Sequence, residues 1–546
     1  MPRDRAGRRP EGAAPGPRQG WVASTTLHVI GISLAAVSAG MLACSLLEAL
    51  TSRRDTAALA VSGLLTGVAG GLLWYLTRPG AIRKRQVFAT VAWTWILITA
   101  VGALPFILAG TFAYGGAGLV EQVVNSLFES ASGFSASGST VLADFDTPGR
   151  GLMMYRQLTH WYGGMGVVVL AVAVLPFLGV GGLELVSAEA PGPSSDRLTP
   201  RVSETARRLW IVYIGFTAGA ALAFFAADGF SSLYDAVAHA FTVAATGGFS
   251  VHAESIGHYD SVAVETVAIV CMILGGTSFS LHWRAVADRP LPYHRNSEFR
   301  SYLTMLGLAA TIIVLLLWLE NGLPLGSSIR AGVFTVVSLG TSTGLSNATG
   351  PGSPSDYVLW VAGAQLVLLL LMVVGGCSGS TSGGIKVLRM RVLGLTMLRS
   401  VRHTQTPRAV IPIRLGRDVV SETVVSRVAG FFLLHFVLMA CGLLAVTALE
   451  GDLESSLGAV VSALGNMGPA LNEAGPTSNY AAAFSQPARL VLALLMVIGR
   501  LEIFPILLAA MDLAVRGRAA LRHGPVSFQH LSRRLESFTE SRSDDP

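Results

Sequence analysis

The chain has 546 residues, of which 51% are hydrophobic and 13% charged, and carries a formal net charge of +6. Soluble domains carry about 25% charged residues, so an ordinary soluble fold is excluded. The positive charge reads as a membrane-topology signal, and no nucleic-acid partner is expected.

The arginine-rich segment 1–26 precedes an apolar stretch too long for a signal-peptide core and is read as a retained cytosolic tail. Apolar runs then recur near 27–50, 57–77, 87–110, 158–186, 206–227, 262–283, 301–320, 357–375, 387–397, 426–449 and 488–514. About 20 apolar residues cross a bilayer, so the chain is expected to be an all-α polytopic membrane protein. Cys44, Cys271, Cys377 and Cys441 sit in or beside these runs without metal-like spacing and read as small core residues. Basic residues cluster at 78–85, 197–208, 284–300 and 386–427 and in both tails. By the positive-inside rule these lie in the cytosol, with both termini inside and an even number of crossings.

Four segments are apolar but too short to span: 119–133, 231–245, 326–340 and 453–465. Each is followed by a polar turn, "FSASGSTVL", "ATGGFSVH", "TSTGLSNAT" or "NMGPALNE", and then by another long run. Segments of 10–14 apolar residues suit re-entrant helices. The chain therefore reads as two extra N-terminal spans (27–80) and four span–half-helix–span units, at 81–195, 196–292, 293–405 and 406–520. A cytosolic tail follows at 521–546. Internal repetition is common among transport proteins.

Aligning the turns places Gly138, Gly247, Gly344 and Gly468 in one column, each preceded by uncharged residues: Ala136-Ser137, Ala245-Thr246, Ser342-Thr343 and Asn466-Met467. Non-helical backbone at membrane depth must be buried or line a water-filled cavity. Four uncharged turns on one axis offer carbonyl oxygens to a dehydrated monovalent cation, as potassium filters do. Glycine supplies the backbone freedom, and half-helix C-termini favour a cation.

The run ending at 375 dissolves into "GGCSGSTSGGIK". Glycines 375, 376, 379, 383 and 384 disfavour helix by about 1 kcal/mol each relative to alanine. Ser378, Ser380, Thr381 and Ser382 can satisfy the freed backbone. Lys386 either anchors this loop or snorkels to the cytosolic face; it could also repel cations when the loop is closed. Arg500, in "LLMVIGRLEIFPILL", lies mid-run and faces either a cavity or a partner on another helix. On an unbroken helix Glu502 would point elsewhere. Glu129, Asp235, His160, His239 and His282 read as packing, capping or network residues. No GxGD, HExxH, P-loop or nucleophile–His–carboxylate grouping is present, so neither an enzyme nor a cofactor is expected. A secondary symporter with sites at broken helices is the alternative, but such transporters usually show two inverted repeats.

"FESASGFSASGSTVL", "YRQLTHWYGGMGVVVLAVAVLP", "ATGGFS", "GGTSFSLH", "GGCSGSTSGGIK", "GNMGPAL" and "GRLEIFPIL" together resemble the TrkH/TrkG branch of the Trk/Ktr/HKT potassium transporters, over roughly 27–515. The resemblance implies a fourfold pseudosymmetric pore of M1–pore helix–M2 units in a homodimer that takes up K+ across a bacterial inner membrane. It implies a TrkA-type nucleotide-binding ring on the cytosolic face. It makes 375–384 an intramembrane gating loop and Arg500 a barrier below the filter. The first turn departs from the family's threonine-rich pattern: Ala136 carries no hydroxyl.

Overall fold

A computed structural model describes residues 22–79, 84–113, 116–173, 198–229, 231–287, 293–416, 418–503, 505–507 and 511. Residues 1–21 of the N-terminal tail, the boundary expected near 195 and the tail expected at 521–546 lie outside the described residues.

The described residues are mostly helical, with two pairs of two-residue strands, Val22–Ala23 with Thr77–Arg78 and Arg414–Leu415 with Asp418–Val419. Helices α1 (Thr25–Leu50) and α2 (Thr56–Leu76) form an N-terminal hairpin. They pack at glycines: a Cβ added to Gly31 or Gly70 would lie 2.8 Å from the other's carbonyl oxygen. Small residues at such crossings let membrane helices approach closely. Beyond the hairpin, a long helix is followed four times by a short one and then by another helix or broken pair. The first set is α3 (Lys84–Gly102) with its continuation α4 (Leu104–Leu108), α5 (Leu119–Ser135) and α6 (Arg150–Ala173). The second is α7 (Leu198–Ala227), α8 (Leu233–Ala245) and the pair α9 (Val262–Gly275) and α10 (Phe279–Ala287). The third is α11 (Ser297–Leu319), α12 (Leu325–Gly340), α13 (Ala362–Val374) and α14 (Val387–Gln405). The fourth is α15 (Glu422–Glu450), α16 (Leu453–Gly465) and α17 (Gln486–Arg500).

Among the described residues six helices are long and apolar enough to cross a membrane, or seven if a bent pair counts as one. The chain is a membrane protein. The long helices turn leucines and valines outward, whereas the four short helices are buried along most of their length. Cys44, Cys271 and Cys377 are buried as expected; Cys441 is instead exposed on α15.

Two expectations are corrected. The run at 262–283 is not one helix: α9 and α10 meet at 96°. The break falls at Gly276–Ser278, where the glycine-rich loop inserts; Cys377 N donates to Gly276 O (2.8 Å) and Phe279 N to Gly379 O (3.0 Å). Nor is the helix through Arg500 unbroken. It ends there, and Glu502 and Ile503 follow with φ of 55° and 66°.

Candidate functional site

The four short helices end alike. Three have a C-terminal cap in the left-handed region: Ala136 (φ 49°), Thr246 (φ 50°) and Asn466 (φ 52°). In the fourth, α12, the left-handed residue is Ser342 (φ 54°), one residue past the cap. Two residues after each comes a glycine with positive φ: Gly138 (93°), Gly248 (90°), Gly344 (81°) and Gly468 (99°). The second turn is therefore shifted by one from the sequence alignment. Its equivalent triplet is Thr246, Gly247 and Gly248; Ala245 is the last helical residue, and Gly247 matches Ser137, Thr343 and Met467. A hydroxyl column carries this register. Ser132, Thr242, Ser338 and Ser462 each lie four residues before the left-handed residue. Three of them bind their own turn: Ser132 Oγ accepts from Gly138 N (3.1 Å), and Ser338 and Ser462 donate to the carbonyls of Leu345 (2.6 Å) and Gly468 (2.9 Å).

The four turns meet. A Cβ on Gly138 would lie 2.2 Å from Gly247 O; on Gly248, 2.3 Å from Thr343 O; on Gly344, 1.9 Å from Met467 O; and on Gly468, 2.9 Å from Ser137 O. Contacts below 3.0 Å against backbone leave no room for a side chain. The relation runs from first set to second, third and fourth, and returns to the first. It is a closed ring of four equivalent peptide segments, with Ser137, Gly247, Thr343 and Met467 each offering the corresponding carbonyl. The next carbonyl of the fourth turn is engaged elsewhere. Gly468 O accepts from Ser139 Oγ (2.9 Å), Ser462 Oγ (2.9 Å) and Tyr480 OH (2.8 Å). No charged side chain occurs within the four triplets. A cavity of about 170 Å³, lined in part by Gly138, Gly248, Gly344, Pro469 and Arg156, opens at the ring.

The glycine-rich loop packs against the ends of three short helices. Thr381 Oγ1 donates to Ala244 O (3.1 Å) and Gly275 O (3.2 Å), and Thr246 Oγ1 lies 3.3 Å from Thr381 Oγ1. Ser382 Oγ meets Ser342 Oγ at 2.7 Å, and Gly383 N donates to Ser342 Oγ (2.6 Å). A Cβ on Gly383 would lie 2.0 Å from Gly465 O. The loop's own ends are stitched by Ile385 N to Val373 O (3.1 Å) and Lys386 N to Val374 O (2.8 Å). Gly375, Gly379 and Gly384 take positive φ, and a Cβ on Gly376 would strike Gly276 O at 2.7 Å. Ser380 Oγ caps Cys377 O (2.6 Å). On the far side Ser378 N donates to Glu298 Oε1 (2.6 Å).

Two buried cations hold this loop. Lys386, itself at φ 82°, donates from Nζ to Ser382 O. Arg500 Nη1 donates to Thr381 O (2.6 Å), while its Nε and Nη2 have no partner among the described residues. Neither forms an ion pair among the described residues; Glu502 pairs with Arg389, whose guanidinium lies over Phe431. Alignment also shows what sequence reasoning missed. Gly164 and Gly276 occupy equivalent places, each against the end of the next short helix (Ala245 and Thr341). The strings "GGMG", "GGTS", "GGCS" and "GRLE" then set Gly164, Gly276, Gly376 and Arg500 in one column. Arg500 is the one charged member of a column otherwise made of glycine.

The sequence profile of the family described as TrkH, cation transport protein, matches residues 57–516. The Trk system potassium uptake protein TrkH of Halomonas elongata is 36% identical over 490 residues, covering 88% of this chain and 96% of that protein. The protein of the same name from Escherichia coli K12 is 33% identical over 443 residues, covering 80% and 88%. The crystal structure of the potassium transporter TrkH from Vibrio parahaemolyticus superposes with a TM-score of 0.78 at 30% identity, covering 88% of this chain and 97% of that one. The fold and site thus define a membrane-embedded cation transport protein, not an enzyme. The chain belongs to the TrkH family.

Proposed function

We propose that the protein takes up K+ across a bacterial inner membrane through a pore on the axis of the four turns. The observation that carries this reading is the closed ring, in which each turn's glycine abuts the carbonyl of the next. Carbonyl oxygens from Ser137, Gly247, Thr343 and Met467 and their neighbours in the triplets replace part of the ion's hydration shell. The short helices end at the ring, so their negative dipole ends favour a cation there.

The loop 375–384 closes the pathway beneath the ring, and Arg500 holds it closed while placing a positive charge on the cation's route. Fourfold arrangement about one axis favours this reading over a secondary symporter with sites at broken helices. The resemblance supports a homodimer and a TrkA-type nucleotide-binding ring on the cytosolic face, the side to which the basic segments assign both termini.

The test is rubidium uptake by the purified full-length protein in liposomes, with potassium or sodium as competitor. Potassium should compete at lower concentration than sodium. Equal competition by both ions would overturn the filter.

A further inference from the structure

Behind the ring lies a buried ion pair that the scheme above does not use. Glu129 is on α5, seven residues before Ala136, and Arg156 is on α6. Their side chains are 1% and 2% exposed, and Arg156 Nε donates to Glu129 Oε1 at 2.6 Å. Glu129 also receives Thr140 Oγ1 (2.9 Å, Oε1) and Val141 N (2.9 Å, Oε2), both just past Gly138. Arg156 reaches the other way. Its Nη1 donates to Ser250 O (2.8 Å) and its guanidinium carbon lies 3.5 Å from the centroid of the Phe249 ring, both just past Gly248. One charged pair therefore grips the first turn with its acid and the second with its base.

No other set carries an acid at this position; the pair that joins the second and third sets, Glu265 with Arg330, is placed differently, with Arg330 partly exposed. Seven residues before the left-handed residue stand His239, Thr335 and Ala459. His239 makes a weaker version, its Nε2 3.0 Å from Ser250 Oγ. The bond falls at the equivalent of Thr140 and stays within one set. A buried charge pair adds little net stability over apolar packing but is costly to break. A geometric role fits that balance: Arg presents several donors in a fixed fork, and here the fork spans two turns whose relative placement decides where their carbonyls stand.

We propose that Glu129 and Arg156 are positioning residues for ion selection, locking the first and second turns of the ring to each other. The proposal rests on the filter reading. They act on the turns through Thr140, Val141, Phe249 and Ser250, and Arg156 also lines the cavity that opens at the ring.

The experiment uses the full-length protein in liposomes and reads the ratio of sodium to potassium concentrations that halve rubidium uptake. Loss of one charge-assisted buried hydrogen bond corresponds to about tenfold, so Glu129→Gln and Arg156→Gln should each lower the ratio by about that factor. The double variant should do little worse than either, because the two act as one unit. Arg156→Lys should fall between, since a point charge cannot serve Glu129 and Ser250 together. A merely structural pair would reduce the yield of folded protein and leave the ratio unmoved; that result in Glu129→Gln overturns the proposal. If Glu129→Gln does not fold, Thr140→Val, which deletes one of the acid's contacts with little change of shape, carries the same test. Gly248→Ser separates the two readings. A ratio lowered by Gly248→Ser but untouched by Glu129→Gln and Thr140→Val sinks the clamp alone, whereas a ratio untouched by all three sinks the filter as well.

Discussion

Arg500 donates from Nη1 to the carbonyl oxygen of Thr381 across 2.6 Å, tying the end of α17 to the middle of the glycine-rich loop. Thr381 in turn bonds the carbonyl of Ala244, two residues before the cap of α8. A helix end, the loop and the underside of the ring are thus linked through one residue.

Replacing Arg500 with alanine removes that bond and the buried charge that the proposed function places on the ion's route. A charged hydrogen bond contributes about 1.5–3 kcal/mol, so loop opening should become more frequent by about an order of magnitude or more. Basal rubidium flux into liposomes should rise accordingly. Flux no higher than that of the unaltered protein would remove Arg500 from the barrier role.

Ser382 tests the loop's attachment without touching charge. Its hydroxyl accepts from Gly376 N (2.8 Å) and meets Ser342 Oγ. Ser382→Ala should raise flux while leaving the sodium-to-potassium competition ratio unchanged, because the ring carbonyls stay where they are. A changed ratio with unchanged flux would assign the loop to selection instead of gating.

The shifted register makes a prediction at adjacent glycines. Gly248 has φ 90° and faces backbone, Thr343 O at 2.3 Å from an added Cβ. A Cβ on Gly247 would instead meet the His160 ring, 2.2 Å away. Gly247→Ala should therefore be rescued in ion preference by a second change, His160→Ala, whereas Gly248→Ala should not be rescued by any side-chain truncation. Equal rescue at both sites would return the column to Gly247.

Much of this was legible in the sequence. The helical membrane fold followed from apolar run length, and the four short helices followed from runs too short to span. Periodicity and composition could not place the second turn, because "TGGF" offers two adjacent glycines and either fills the column. The hydroxyls at Ser132, Thr242, Ser338 and Ser462 break that tie: counting from Gly247 lands on Phe241, and counting from Gly248 lands on Thr242. The break between α9 and α10 was hidden for a different reason. It depends on Cys377 and Gly379, a hundred residues away in the chain, entering to bond the freed backbone. Arg156 lies just before the apolar run at 158–186, and no periodicity in the sequence pairs it with Glu129, 27 residues earlier.

Stability outside the ring should depend on Glu48. Its buried carboxylate accepts from Arg54 N (3.1 Å), Asp55 N (3.3 Å) and Gly151 N (2.6 Å), while Asp55 Oδ2 accepts from Gly149 N (2.7 Å). Two acids of the α1–α2 hairpin thus cap the N-terminus of α6, whose first N–H groups have no partner within the helix. Glu48→Gln turns an amide donor toward these donors and should destabilise by about 1–3 kcal/mol. A lowered melting temperature in detergent would show it; an unchanged one would mean that the hairpin is dispensable to α6.

The ring joins its beginning to its end. Gly468, from the last of the four sets to be synthesised, comes to rest against Ser137 and Gly138 from the first. During biogenesis the earlier turns must therefore wait, three quarters of a circle with a gap, until the final segment has inserted. A chain cut short before residue 468 should bind into the bilayer yet leave an open-sided cleft where a closed collar belongs.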